Sequence, residues 1–252
     1  MPRLKIKTLH YESLPSTNTE VARLAADGAT EGLSIVANEQ TAGRGRLQRT
    51  WSSRKGAGLY FSILLRPEIP LHSWPLITFM AAVATGDALI GAAGLQTEIK
   101  WPNDLLAGER KICGILSETV DTSAGRAAVV GIGINLTARG YPPDLTGVAT
   151  SVEEETKQPA DKERLLAALQ EAIANWYEQL VEPQGLERIL KAWIERSSYA
   201  NGRLVDVVNG NETFRGITRG VELDGALRVE TQAKEIRIVR AGDVVNVRSA
   251  TK

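Results

Sequence analysis

Apolar positions along this chain fall into two rhythms, and the points where one gives way to the other mark its elements. Between Ser16 and Gly28, Val21, Leu24 and Ala25 recur at helical spacing. Thr17 with Glu20 reads as a capping box at the start of that helix, and Gly28 supplies a stop. The run 33–39 is short and β-branched, and Gly58–Leu65 is a second, mostly apolar run, so both read as strands. A strand near Thr97–Trp101 follows, then Lys111–Thr119 and Ala127–Asn135, joined by a polar turn around Asp121–Gly125. Helical spacing returns from Asp161 to Leu180, with Leu165, Leu166, Leu169, Ile173 and Trp176 on one side. Pro183 and Gly185 break it before a shorter helix over Leu186–Arg196. Strands alternating with covering helices predict an α+β fold, a mixed β-sheet with helices layered on it.

After Gly202 the texture changes to short β-rich runs: Leu204–Val208, Thr213–Leu223, Leu227–Glu230, Ile236–Val239 and Val244–Arg248. Asn209-Gly210 and Asp224-Gly225 between them are hairpin signals, and the tail reads as a small, partly closed barrel. The expected division is therefore 1–200 and 201–252. Residues 74–94 are apolar for about the length that crosses a bilayer. Asp87, the interrupting small residues and the lack of flanking basic clusters favour instead a helix buried against the sheet.

Composition narrows the class. The 252 residues include 30 basic and 30 acidic side chains, a balance that argues against general binding to nucleic acid or membrane surfaces. A single cysteine, Cys113, excludes an internal disulfide and suits a reducing, cytoplasmic setting. Two distant histidines, His10 and His72, form no metal-ligand pattern, so no protein-bound metal is expected.

Against this neutral background one segment stands out. From Gly43 to Lys55 there are five cations (Arg44, Arg46, Arg49, Arg54, Lys55) and no acid, followed closely or interrupted by Gly45 and Trp51. Guanidinium groups are rarely buried without partners, whereas forked donors beside flexible backbone suit phosphate oxygens. The segment is expected to wrap an anionic ligand. Further blocks are Ser16-Thr17-Asn18, Lys100-Trp101-Pro102-Asn103-Asp104, Lys111-Ile112-Cys113-Gly114-Ile115-Leu116 and Gly131-Ile132-Gly133-Ile134-Asn135-Leu136. The last resembles a dinucleotide fingerprint, but Leu136 stands where a third glycine belongs, and the block lies inside a strand.

In order and spacing these blocks resemble the biotin protein ligases over roughly residues 10–140, with the rest similar by domain plan. The resemblance implies a catalytic core related to class II aminoacyl-tRNA synthetases and lipoate ligases, and a Src-homology-3-like C-terminal domain. It implies a two-step reaction in which biotin and MgATP give biotinyl-5′-AMP, which then acylates a lysine of a biotin carboxyl carrier domain of acetyl-CoA carboxylase or a related enzyme. Biotin, ATP and Mg2+ are the expected small molecules, and a monomer or homodimer the expected assembly. Only about fifteen residues precede Ser16, which points to the short kind of ligase without a helix-turn-helix domain and without DNA as a partner.

Carried over by resemblance, Lys111, Arg44, Arg46 and Asp104 are the candidate catalytic residues. Lys111 would bridge carboxylate and phosphate, and Asp104, also a natural turn-former, would position or deprotonate the acceptor lysine. Ser16, Thr17, Asn18, Gln40, Gly43, Arg44, Arg46, Lys111, Gly114, Leu116 and Gly131 would hold biotin, with Gln40 at the ureido ring. Arg46, Arg49, Trp51, Asn103, Lys111, Gly133 and Asn135 would hold ATP and the adenylate, Trp51 and Asn135 meeting adenine. Lys100 and Trp101 would shape the site and contribute to a subunit contact. The arginine loop should be mobile when empty and ordered around biotin or the adenylate, since an exposed acyl-adenylate is lost to water.

Three other readings share some of these features. A lipoate–protein ligase would also adenylate its acid, and related octanoyl transfer enzymes use a cysteine nucleophile; the Gly-Arg-Gly-Arg and Lys-Trp-Pro-Asn-Asp blocks favour biotin, and Cys113 reads as a small buried hydrophobe. A non-catalytic adenylate-responsive repressor, or a single-strand binder using the basic loop and Trp51, would reveal itself by salt-dependent nucleic-acid binding.

Overall fold

The computed structural model of the protein describes residues 4–209, 212–240 and 242–246. A seven-stranded mixed sheet forms its centre. In chain order its strands are β1 (Lys7–Tyr11), β2 (Leu33–Ala37), β3 (Gly58–Leu65), β4 (Glu98–Lys100), β5 (Asp104–Ala107), β6 (Arg110–Thr122) and β7 (Gly125–Asn135). They lie in the order β1-β2-β3-β7-β6-β5-β4, with β1 parallel to β2 and the other pairs antiparallel. The helices are α1 (Thr17–Ala26), α2 (Pro75–Ala93), α3 (Val152–Thr156), α4 (Lys162–Val181) and α5 (Gly185–Glu195).

The two faces of the sheet are covered differently. Leu59, Phe61, Ile63 and Leu65 of β3, with Ala128, Val130, Ile132 and Ile134 of β7, join α2, α4 and α5 in the larger core. On the other face Leu64, Ala127 and Val129 pack with Val21 and Ala25 of α1. Along β7 that second face carries Ala127 and Val129, then Gly131 and Gly133. The apolar alternation lapses into glycine at the level where the cavity described below opens. Strand β3 is buried along its whole length because it is covered on both sides, which explains its largely apolar sequence.

Helix α2 is the bilayer-length apolar stretch. It is mostly buried, wedged between the sheet and α4 and α5, and Gly94 ends it at φ 64°, a left-handed cap that glycine adopts without strain. Helix α4 buries Tyr177 rather than Trp176, whose indole N–H instead donates to Asp87 at the half-buried margin. The predicted capping box is shifted by one residue. Ser16 is the N-cap and accepts from the Thr19 N–H, the Thr17 hydroxyl turns to Gln40, and Glu20 pairs with Arg23. Strands β1 and β5 and helix α3 were not read from the sequence, being too short for periodicity to register.

The C-terminal region is a five-stranded antiparallel sheet of β8 (Asn201–Asn209), β9 (Glu212–Val221), β10 (Leu227–Thr231), β11 (Ile236–Val239) and β12 (Asp243–Asn246), ordered β11-β10-β9-β8-β12. Its first strand begins at Asn201. The apolar core nonetheless runs on without interruption, since Val205, Val207, Leu227 and Val229 join the same cluster as α2. The Trp101 indole N–H donates to the Gly225 carbonyl at 3.0 Å, so this tryptophan ties sheet to sheet within one chain. Gly210 of the expected Asn209-Gly210 turn, and Val247 and Arg248 of the last expected strand, lie outside the described residues.

Candidate active site

A cavity of about 590 Å³ opens on the α1 face of the central sheet. Strand register builds its floor. Lys100, Asp104, Gly114, Gly133 and Tyr60 are successive cross-strand partners from β4 through β5, β6 and β7 to β3. Partners in such a row share one face, so these residues form a transverse line roughly 4.8 Å per strand step. The adjoining row is Leu116, Gly131 and Ser62.

At the β3 end the lining is a chain of hydrogen bonds. The Gln40 carbonyl oxygen accepts from the Thr17 backbone N–H (2.8 Å) and hydroxyl (3.0 Å), and its amide donates to Ser53 Oγ (2.7 Å). Ser62 Oγ lies 2.7 Å from Thr17 Oγ1 and 2.6 Å from Asn18 Oδ1, and its single proton serves one of them at a time. Asn18 Nδ2 donates to the Leu116 carbonyl (3.1 Å) and to Glu118 (2.8 Å). Glu118 in turn accepts both terminal nitrogens of Arg44, at 2.8 and 2.7 Å. Ser16, Thr17 and Asn18 are each only 4% exposed, so these polar groups are fixed by one another rather than by solvent.

The glycines make room for side chains. A Cβ on Gly131 would stand 2.1 Å from Asn18 Oδ1, and one on Gly133 2.4 Å from Trp51 Nε1. The Trp51 indole therefore lies against the floor at Gly114 and Gly133, with the Lys111 ammonium 5.3 Å from its ring centroid. Gly43 has the same reason to lack a side chain, since a Cβ there would meet the Trp51 carbonyl at 2.4 Å. The nearest neighbours of these glycines are the residues that shape the cavity.

Ion pairs dominate the other end. Lys111 Nζ is 2.6 Å from Asp104 Oδ1. The strand head that carries Lys111 is clasped by the segment after β7, through Lys111 N–H to Val148 O and Thr150 N–H to Lys111 O, both 2.9 Å. Arg49 meets Asp243 of β12 at 2.5 Å, and Arg46 approaches the same carboxylate at 3.6 Å and the Asn103 side-chain oxygen at 3.4 Å. Asn103 also donates to the Ile115 carbonyl at 2.6 Å, which fixes the turn before β5. Burial holds the Arg46 guanidinium below its ordinary pKa, opposed by Asp243 and Asp104. At the loop tip Leu47 and Gln48 sit at φ 53° and 60°, a left-handed backbone that costs about 1 kcal/mol or more per residue for non-glycine side chains.

Every candidate catalytic and binding residue except Gly43 lines this cavity. Asn135 is buried with its amide donating to the Thr150 carbonyl at 3.0 Å. Trp101 faces the C-terminal sheet of its own chain instead of a second subunit, because its indole fills the junction at Gly225. The structure adds Ser53, Ser62 and Glu118 to the hydrogen-bond chain, Tyr141, Leu145, Val148 and Tyr199 to the wall, and Asp243 to the ion pairs. No motif flags these residues, since each arrives through register or tertiary packing. Cys113 is fully buried, and burial raises its thiol pKa, so it offers no thiolate for acyl transfer.

Residues 11–135 match the Biotin/lipoate A/B protein ligase family. The chain is 34% identical over 239 residues to the bifunctional ligase/repressor BirA of Bacillus subtilis, covering 94% of this chain and 73% of that protein. It is 36% identical over 223 residues to the biotin–[acetyl-CoA-carboxylase] ligase of Paracoccus denitrificans, covering 84% and 89%. Among solved structures, the biotin protein ligase of Aquifex aeolicus in complex with biotin and ATP superposes with a TM-score of 0.82 at 26% identity, covering 96% of this chain and 99% of that one. With the ligase motifs set around one cavity and relatives matching along nearly its whole length, this chain belongs to the biotin protein ligase family.

Proposed function

We propose that the protein joins biotin to ATP, giving biotinyl-5′-AMP and pyrophosphate, and then transfers the biotinyl group to the ε-amine of a lysine on a biotin carboxyl carrier domain. The observation that carries this reading is the division of one cavity into a neutral hydrogen-bonding end and a cationic end, with Lys111 between them. A ureido ring needs placed neutral partners in a confined pocket, and Gln40, Thr17, Ser16 and Asn18 supply them. Adenylation brings a carboxylate against a phosphate, and Lys111, Arg44 and Arg46 supply the compensating charge.

In the first step a biotin carboxylate oxygen attacks the α-phosphorus, and the bond to the bridging oxygen breaks with its electron pair leaving on pyrophosphate. In the second the acceptor amine attacks the acyl carbon, the C–O bond to AMP breaks, and the amine proton is released. Asp104, on the cavity floor, positions the acceptor lysine and takes the proton that its ammonium loses before attack. Trp51 offers the adenine a ring face, and its indole N–H, which is buried and meets no acceptor among the described residues, offers a donor. Mg2+ enters with ATP, neutralising phosphate charge. Among the described residues no cluster of three His, Cys, Asp or Glu is arranged as a metal site. The arginine loop closes over the adenylate by exchanging Asp243 and Glu118 for ligand oxygens. The C-terminal sheet, which we read as a separate domain from residue 201, holds Arg46 and Arg49 on Asp243 until the nucleotide displaces it. The acceptor is the carrier domain of acetyl-CoA carboxylase or of a related biotin-dependent enzyme, and the setting is cytoplasmic.

The test is pyrophosphate release with MgATP and biotin, lipoate or octanoate, followed by mass spectrometry of an acceptor domain. Biotin-dependent release with one biotinyl addition is expected; release with lipoate in preference would overturn the substrate assignment.

A further inference from the structure

A second cavity, a groove of about 440 Å³, is walled by the turn between β4 and β5, the start of α2 and the turn between β9 and β10. Among its lining residues Phe79, Trp101 and Ile115 are buried and apolar. The groove shares Arg46, Asn103 and Ile115 with the adenylation cavity, so the two adjoin. Leu223, Leu47 and Leu71, at 63%, 62% and 54%, are the most exposed large apolar side chains among the described residues. All three gather here. Leu71 lines the groove, Leu47 follows Arg46 in the chain, and Leu223 precedes Asp224, another lining residue. A single exposed leucine is ordinary, whereas the three most exposed ones around one apolar groove mark a surface built for a partner.

We propose that this groove seats the acceptor domain during biotin transfer. The inference rests on the two-step reading above and names where the second step's macromolecular substrate docks. Transfer is the only step that brings a protein to the cavity, and the incoming lysine must reach Asp104. A partner lying in the groove ends beside Asn103, the residue before Asp104, so its lysine enters where the two cavities adjoin. An apolar side chain of the acceptor, laid over Phe79 and Trp101, is the buried anchor, and Leu47, Leu71 and Leu223 form the ring that keeps water from it. The matching partner is therefore a folded domain that presents its lysine with apolar side chains close by. A second copy of this chain seated there would stand across the same entrance and bar the lysine, which favours the acceptor as the occupant.

The experiment separates docking from chemistry. Leu223→Asp and Leu71→Ser alter exposed side chains, so melting temperatures should hold. Each should raise the KM for a biotin carboxyl carrier domain by about tenfold, the effect of spoiling one apolar contact around an anchor, and the two together by more. Biotin-dependent pyrophosphate release, and transfer from biotinyl-5′-AMP to hydroxylamine, should keep their parental rates. Leu204→Asp, at an exposed leucine of β8 away from the groove lining, should leave the acceptor KM as it was. An unaltered acceptor KM in both groove variants, or an equal loss of transfer to hydroxylamine, would overturn the assignment. So would a change in sedimentation of the protein alone with the acceptor KM unmoved, since the groove would then join two copies. Wild-type protein that released no pyrophosphate with biotin would overturn the adenylation reading and this one with it.

Discussion

The two ends of the cavity are built on opposite principles. At the biotin end Ser53, Gln40, Thr17, Ser62, Asn18 and Glu118 form one chain of hydrogen bonds, buried at Ser53, Thr17, Ser62 and Asn18 and ending in the partly exposed Glu118–Arg44 pair. At the phosphate end Lys111, Arg46 and Arg49 are held by single carboxylates on partly exposed pairs. A neutral ureido ring gains little from charge, so its site must already have its donors and acceptors in place. A polyanion competes strongly for cations, so its site can keep them on internal carboxylates and exchange partners when it arrives. Rigidity at one end and exchangeable charge at the other follow from what each end has to recognise.

The comparison is most directly broken at Lys111, where the ends meet. Lys111→Ala should cost about 2.7–4 kcal/mol in adenylation, the usual loss for removing one preorganised electrostatic donor, and Lys111→Arg should restore it only in part because the fork differs from the ammonium in shape and hydration. Adenylation of biotin by Lys111→Ala at the parental rate would remove this lysine from the mechanism. Next in size is a contrast between the two glycines of β7. Gly131→Ala drives a Cβ against Asn18, which is locked by α1, Ser62 and Glu118, and should destabilise the fold by about 1–3 kcal/mol while weakening biotin binding. Gly133→Ala meets the Trp51 indole on a loop that can yield, so it should lower ATP affinity with a smaller loss of melting temperature. Equal melting losses for both would count against a rigid biotin end and a yielding phosphate end.

Much of this was legible in the chain. The arginine loop could be read because its charge density is incompatible with a core, and the strand Gly58–Leu65 because nothing polar interrupts it except Ser62 and Tyr60. Those two interruptions belong to the site face, a fact that only register reveals. The capping residue was misplaced by one because Ser16 and Thr17 are chemically equivalent as caps, and the choice depends on Gln40, distant in sequence. Trp101 was given to a subunit contact because an aromatic beside a motif has no visible partner until Gly225 is brought to it. Asp243 could not have been foreseen at all, since an acid at the start of a strand carries no signal of which arginine it will meet.

That same carboxylate offers the smallest and sharpest test. Asp243 is 22% exposed and Arg49 68% exposed, so their pair is solvent-screened and worth about 0.2–1 kcal/mol to folding. Asp243→Asn should therefore shift the melting temperature little. If the arginines are held there only until phosphate competes for them, removing the charge should lower the KM for ATP at low salt, with the advantage fading as salt screens the pair. The biotin end has no comparable link to Asp243, so the affinity for biotin alone should stay as it was. A raised KM for ATP would mean that Asp243 orients Arg46 and Arg49 for the nucleotide rather than competing with it, and the phosphate end would then be as preorganised as the other.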